Sequence, residues 1–141
     1  MDTGPSPARP SAGRPPRAAA LAAIRRVVER SAYSNLAVPA ELDRAGLSGR
    51  DRAFASDLAY GTLRRLTPID AALGRASTRP LAEVDPEALA LLRLGTYQLL
   101  FSRVPAHAAV SETVALAGPR HRGFVNAVLR HVRPVAAPGD T

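Results

Sequence analysis

Apolar residues recur along this chain three and four positions apart, the spacing of one face of a helix. Leu21, Ile24 and Val28 share such a face and predict a first helix over 17–31, with Arg26 and Arg30 one turn apart on another face. A loop is expected through Ser34 and Asn35, then a short helix from Pro39 to Ala45 that Gly46 ends as a C-cap. Ser48 and Asp51 fit the N-cap and N3 positions of a longer helix. Its stripe is Ala55, Leu58, Ala59, Thr62, Leu63 and Leu66. Gly61 sits in the middle of that helix, where glycine costs about 1 kcal/mol against alanine, so a close neighbour is expected there.

Thr67-Pro68 with Asp70 predicts the next start, and that helix ends near 74–77. Asp85-Pro86-Glu87 repeats the signal: N-cap, N1 proline, acid in the first turn. The helix from Pro86 to about Ser102 is apolar nearly all round, as a central buried helix is. Arg93 interrupts it and must meet an acid or an interface, because a bare buried guanidinium is very costly. Pro105 breaks the chain. Ala106, Ala109, Val110, Thr113, Val114 and Ala117 give another stripe, stopped by Gly118-Pro119. A last helix over 122–133 buries Phe124, Val125, Val128, Leu129 and Val132, and sets Arg122, Asn126, Arg130 and Arg133 on its outer face. No segment reads as a strand. The expected fold is all-α, about six or seven helices joined by short loops.

The ends read differently. Residues 1–16, rich in Pro and Arg with no apolar period, are expected to be a disordered tail, and 134–141 a C-terminal tail or linker. The single domain lies between them, over 17–133.

Charge adds a partner class. All 19 basic residues are arginine, against 12 acids, for a formal net charge of +7. A GC-rich genome accounts for arginine in place of lysine but not for the excess of cations. That excess favours a polyanion such as RNA, DNA or acidic lipid. The chain has no cysteine, which excludes disulfides, thiolate metal sites and cysteine nucleophiles. The apolar run Ala18–Ile24 is too short to span a membrane, so no membrane partner and a cytoplasmic setting are expected.

Several segments, in order, resemble a known family. They are Asp51-Arg52-Ala53-Phe54 leading to Tyr60-Gly61-Thr62-Leu63-Arg64, then Ile69-Asp70, Arg79-Pro80-Leu81 and Leu92 to Leu100 (LRLGTYQLL). Arg103 to Val114 (RVPAHAAVSETV) and Gly123 to Arg130 (GFVNAVLR) follow. Together they resemble the NusB-type domain, most closely the version at the N-terminus of bacterial 16S rRNA cytosine-C5 methyltransferases. The resemblance covers 17–133. It implies a NusB-like helical fold, RNA (rRNA in particular) as partner, and an S-adenosylmethionine-dependent catalytic domain alongside. Free-standing members imply an alternative, a transcription antitermination factor that binds leader RNA with a ribosomal protein. Neither catalysis nor a cofactor is expected of this chain itself. The methyltransferase nucleophile is a cysteine, and there is no glycine-rich strand–loop–helix for the cofactor.

Candidate RNA contacts follow. Arg14 and Arg17 lead into the first helix, where the resemblance implies an arginine-rich RNA-binding start; a solvated tail is the competing reading. Arg26 and Arg30 extend that surface, while Arg25 is expected to pair with Glu29. Arg120, Arg122, Asn126 and Arg130, with His121, form the densest polar-basic cluster. Asn126 either reads a base edge or, as a buried amide, holds two helices or a loop. His121 has no second ligand at metal spacing, and His107 is expected to hydrogen-bond at its helix start. A third function remains open, a structural domain that touches little RNA.

Overall fold

The computed structural model describes residues 15–135. The tails expected over 1–16 and 134–141 lie almost wholly outside these residues. Among the described residues there are seven α-helices and no strand: α1 (Pro16–Arg30), α2 (Ser34–Arg44), α3 (Gly49–Arg64), α4 (Leu66–Ala76), α5 (Pro86–Phe101), α6 (Ala106–Val114) and α7 (Pro119–Leu129), with a 3-10 turn at Leu81–Glu83. The chain divides into two compact units, Met1–Tyr60 and Gly61–Thr141, and α3 runs through the division.

In the first unit α1 packs on α2. The buried stripe of α1 is Ala19, Ala20, Ala23 and Ile24. Val28, placed on that face by its spacing, is 40% exposed. Alanines let the two backbones come close, so the contact lies where the side chains are smallest. The helix α2 starts five residues before the expected Pro39, and Pro39 lies inside it. Burial of Ala37, Val38 and Leu42 along the earlier start offsets the missing N–H. Its end is as expected. Gly46 adopts φ +72, its N–H donates to the Asp43 carbonyl, and the Leu47 N–H donates to the Leu42 carbonyl. Those two bonds are a Schellman ending, which the left-handed glycine permits.

The second unit is built on α5, which packs against α4, α6 and α7. Leu91, Leu92 and Leu94 are fully buried. The predicted cap is present: the Asp85 side chain accepts the Glu87 N–H at 2.9 Å. A Cβ added to Gly61 would land on the Tyr97 ring, the close neighbour that a mid-helix glycine implied. Arg93 donates bidentately to Asp70, Nε to Oδ1 at 2.9 Å and Nη2 to Oδ2 at 2.8 Å. Asp70 is therefore the partner of Arg93 rather than a helix cap. Since α4 begins at Leu66, Pro68 is its third residue, where the missing N–H is one that a helix leaves unbonded. Gln98 is fully buried and donates to the Leu94 carbonyl at 3.1 Å and to Thr113 Oγ1 at 2.9 Å.

Three helix ends around α6 and α7 differ from expectation. The α6 helix ends at Val114, and the next residues tighten into short turns, Leu116 N–H to Thr113 O and Ala117 N–H to Val114 O. Pro119 then opens α7 at its first position instead of only ending the helix before it. Because α7 ends at Leu129, Arg133 lies outside it, where its Nη1 donates to the Val132 carbonyl at 2.8 Å.

Candidate nucleic-acid interface

In the first unit the tight turn after α1 lays α2 back along it. Ala32 N–H donates to the Arg26 carbonyl at 3.2 Å, and Ser31 takes the left-handed conformation, φ 58. Folding back opens a polar groove of about 510 Å³, lined by Ala22, Arg25, Arg26, Glu29, Arg30, Glu41 and Arg44. Four arginines face two glutamates. Arg25 holds Glu29 through Nε at 2.6 Å and Nη2 at 3.0 Å. Arg26 holds the buried Glu41 at 3.1 Å. Arg30 and Arg44 are exposed, and neither makes a side-chain hydrogen bond or ion pair among the described residues. The groove thus keeps two positive charges unneutralised beside the two ion pairs. Such an arrangement can take phosphate oxygens.

Arg17 at the start of α1 lies with its guanidinium 5.1 Å from the Phe54 ring centroid. Arg14 lies outside the described residues. The pairing of Arg25 with Glu29 is as expected. Arg26 has an acid partner that local spacing did not suggest, since Glu41 is 15 residues away on another helix. Arg26→Ala is expected to lower the stability of this unit by about 1–2 kcal/mol, because a buried carboxylate loses an ion-pair partner. The denaturant midpoint, measured beside RNA affinity, separates that loss from any loss of binding. Arg44 was absent from the sequence candidates; only the return of α2 along α1 puts it in the same groove as Arg30.

In the second unit the α7 cluster divides between two concavities. One, of about 340 Å³, is lined by Arg79, Glu83, Asp85, Arg120, His121 and Phe124, with the Arg79 guanidinium 4.1 Å from the Phe124 ring centroid. The other is a larger apolar groove of about 830 Å³, with Leu99, Val110 and Val114 in its walls and Asn126, Arg130 and Arg133 among its polar residues. Arg120 and Arg130 are both exposed. Asn126 is half-buried, and its amide makes no side-chain hydrogen bond among the described residues, so it does not tie two helices together. Arg122 donates to the Ala117 carbonyl at 2.9 Å, closing the turn before α7. His107 lines the large groove, exposed and without the hydrogen bond expected at the start of α6.

His121 does have ligand-like neighbours. Its Nε2 lies 3.7 Å from Asp85 Oδ1 and 3.9 Å from Glu87 Oε1. The three ligand atoms fall within 4.8 Å of one another. Spacing along the chain did not suggest these neighbours, since the start of α5 brings both carboxylates from over 30 residues away. A divalent cation there would compete with the Glu87 N–H for Asp85 and would face Arg79 and Arg120 in the same concavity.

The sequence model of the NusB family matches residues 14–134. The chain belongs to the NusB family. Over 122 residues it is 52% identical to a Mycobacterium tuberculosis (strain ATCC 25618 / H37Rv) protein described as a methyltransferase. Over the same length it is 40% identical to the ribosomal RNA small subunit methyltransferase B of Pseudomonas syringae pv. tomato. Each match covers 84% of this chain and 27% of the relative, so nearly three quarters of each relative has no counterpart in these residues. The NusB fold is also that of a chain in the crystal structure of antitermination factors NusB and NusE in complex with dsRNA. The TM-score is 0.73 at 20% identity, covering 82% of this chain and 90% of that one. A chain in the crystal structure of a plectonemic RNA supercoil matches with a TM-score of 0.75, also at 20% identity, covering 87% and 93%.

There is no cysteine in the sequence, and no strand among the described residues from which a glycine-rich loop could start. The polar chemistry of this NusB-family domain is that of arginines on helix surfaces.

Proposed function

We propose that this domain grips ribosomal RNA for an S-adenosylmethionine-dependent rRNA cytosine-C5 methyltransferase. The observation that carries the reading is the α1–α2 groove, in which Arg30 and Arg44 stay uncompensated beside two internal ion pairs. The likeness to ribosomal RNA methyltransferases, at 40% identity, supports this role over the free-standing antitermination factor, whose solved relative shares 20%. The catalytic step belongs to the part of such relatives that has no counterpart here, and this domain supplies affinity and orientation. The proposed contacts are Arg14, Arg17, Arg26 and Arg30 around α1, with Arg44 beside them, and Arg120, Arg122, Asn126 and Arg130 on and beside α7. Arg26 and Arg122 also hold the fold together, so Arg30 and Arg44 are the cleaner probes. A cytoplasmic setting goes with this role, and no described helix is long and apolar enough to cross a membrane.

Titration of a labelled single-stranded rRNA fragment at several salt concentrations, with duplex DNA as control, tests the reading. Each phosphate contact on a single strand contributes about −0.7 to the log–log salt slope. The double variant Arg30→Ala, Arg44→Ala is therefore expected to bind more weakly and to flatten the slope by about 1.4. Equal affinity for DNA and RNA, or no binding at physiological salt, would leave a structural role as the reading.

A further inference from the structure

The largest exposed apolar side chains of the first unit stand at the start of α2. Tyr33 is 74% exposed and Leu36 is 65% exposed. Tyr33 is the N-cap residue of α2 and Leu36 lies three positions on, one turn along the same side. The Tyr33 hydroxyl makes no hydrogen bond among the described residues; its backbone carbonyl accepts the Leu36 and Ala37 N–H groups at 3.0 and 2.8 Å. The ring is therefore carried by a hydrogen-bonded backbone and stands mostly in water. Arg30, one of the two uncompensated arginines of the groove, precedes Tyr33 by three residues, so their Cα atoms are at most about 11 Å apart. Asn35, also exposed, lies between Tyr33 and Leu36.

An exposed aromatic beside an uncompensated arginine, here Arg30, is the combination that single-stranded RNA recognition needs: a π-face for an unstacked base and a cation for its phosphate. We propose that Tyr33, with the exposed Leu36 one helical turn on, is a stacking platform for an unpaired RNA base whose backbone runs into the Arg30–Arg44 groove. The inference rests on the RNA-binding reading and adds to it that the RNA is single-stranded at this point. A charged protein segment would use Arg30 and Arg44 equally well but would not need an unpaired planar group over Tyr33.

The chain has no tryptophan, so Tyr33→Trp places a single reporter on the platform. Titrating this variant with an unstructured single-stranded RNA oligomer is expected to quench its emission in step with binding. Tyr33→Ala is expected to weaken single-strand binding about tenfold, the effect of losing one base–aromatic stack, while Tyr33→Phe keeps wild-type affinity. Affinity for duplex RNA, whose bases are paired, is expected to stay unchanged in all three. Tyr33→Ala is also expected to keep the wild-type denaturant midpoint, because the ring is mostly in water. If wild-type protein binds the oligomer but the emission of the introduced tryptophan does not respond and Tyr33→Ala binds as tightly, the platform is wrong and RNA binding stands. If the wild type binds no RNA, both readings fall. If Tyr33→Ala changes the sedimentation of the protein without RNA, the face is a protein contact and the platform is overturned.

Discussion

Gly61→Ala is expected to destabilise the protein by about 1–3 kcal/mol, although alanine is the better helix former by about 1 kcal/mol. The added methyl would fall on the ring of Tyr97, which is 3% exposed and cannot swing into solvent. Tyr97 is fixed further by Phe101, with ring centroids 6.3 Å apart, and by the Arg65 guanidinium, 5.9 Å from its centroid. The helix must move away or the ring must shift against its neighbours. Gly74 in α4 gives the control, because a Cβ added there meets nothing within 4 Å. Gly74→Ala is expected to stabilise by up to about 1 kcal/mol. Urea midpoints at unchanged m-value measure both. Two shifts of the same sign would mean that Gly61 is not a packing glycine. Adding Tyr97→Leu to Gly61→Ala is expected to recover part of the loss, a non-additivity that marks direct contact.

The second large effect concerns the Asp70–Arg93 pair, and it is asymmetric. The Arg93 side chain is 14% exposed and that of Asp70 is 33% exposed. Asp70→Ala leaves the more buried charge without its bidentate acceptor. The expected loss is about 2–3 kcal/mol, below the 3–5 kcal/mol range of fully buried pairs because water still reaches this one. Arg93→Met keeps the apolar packing and leaves only a carboxylate already one-third in water, so about 1 kcal/mol is expected. In thermal unfolding Asp70→Ala is expected to lower Tm by about 10 °C and Arg93→Met by less than half of that. Equal effects would show that the pair acts as an ordinary surface ion pair.

Both effects are foreshadowed in the sequence, since a mid-helix glycine and an arginine in an apolar helix each demand a partner. The sequence does not say which partner. Gly61 meets a residue 36 positions on, and Arg93 an acid 23 positions back. Local rules did better at helix starts with covalent causes. Asp85-Pro86-Glu87 is capped as expected because proline sets φ and Asp85 reaches an N–H two residues away. They did worse where burial overrules propensity. Pro39 lies inside α2 because Ala37, Val38 and Leu42 gain more from burial than one N–H loses. Val28 has the right spacing for the core but is exposed, because small alanines took the contact.

The candidate site divides in the same way. That arginine would dominate and that Arg25 would be absorbed by Glu29 are consequences of composition and of i, i+4 spacing, while the choice of α1 came from the family resemblance. Which arginines stay uncompensated depends on contacts that helical spacing does not give. Glu41 takes Arg26, the fold-back of α2 adds Arg44, and the turn before α7 takes Arg122. The carboxylates beside His121 also come from another helix.

The sequence alone thus determined an all-helical chain of the NusB type, with an arginine excess and no nucleophilic thiol. Helical periodicity, capping chemistry and residue counts are local or additive properties. Only the tertiary structure decided which charges remain free for a partner, because pairing depends on side chains within a few ångströms in space, and α1 and α2 must fold together before Arg30 and Arg44 share a wall.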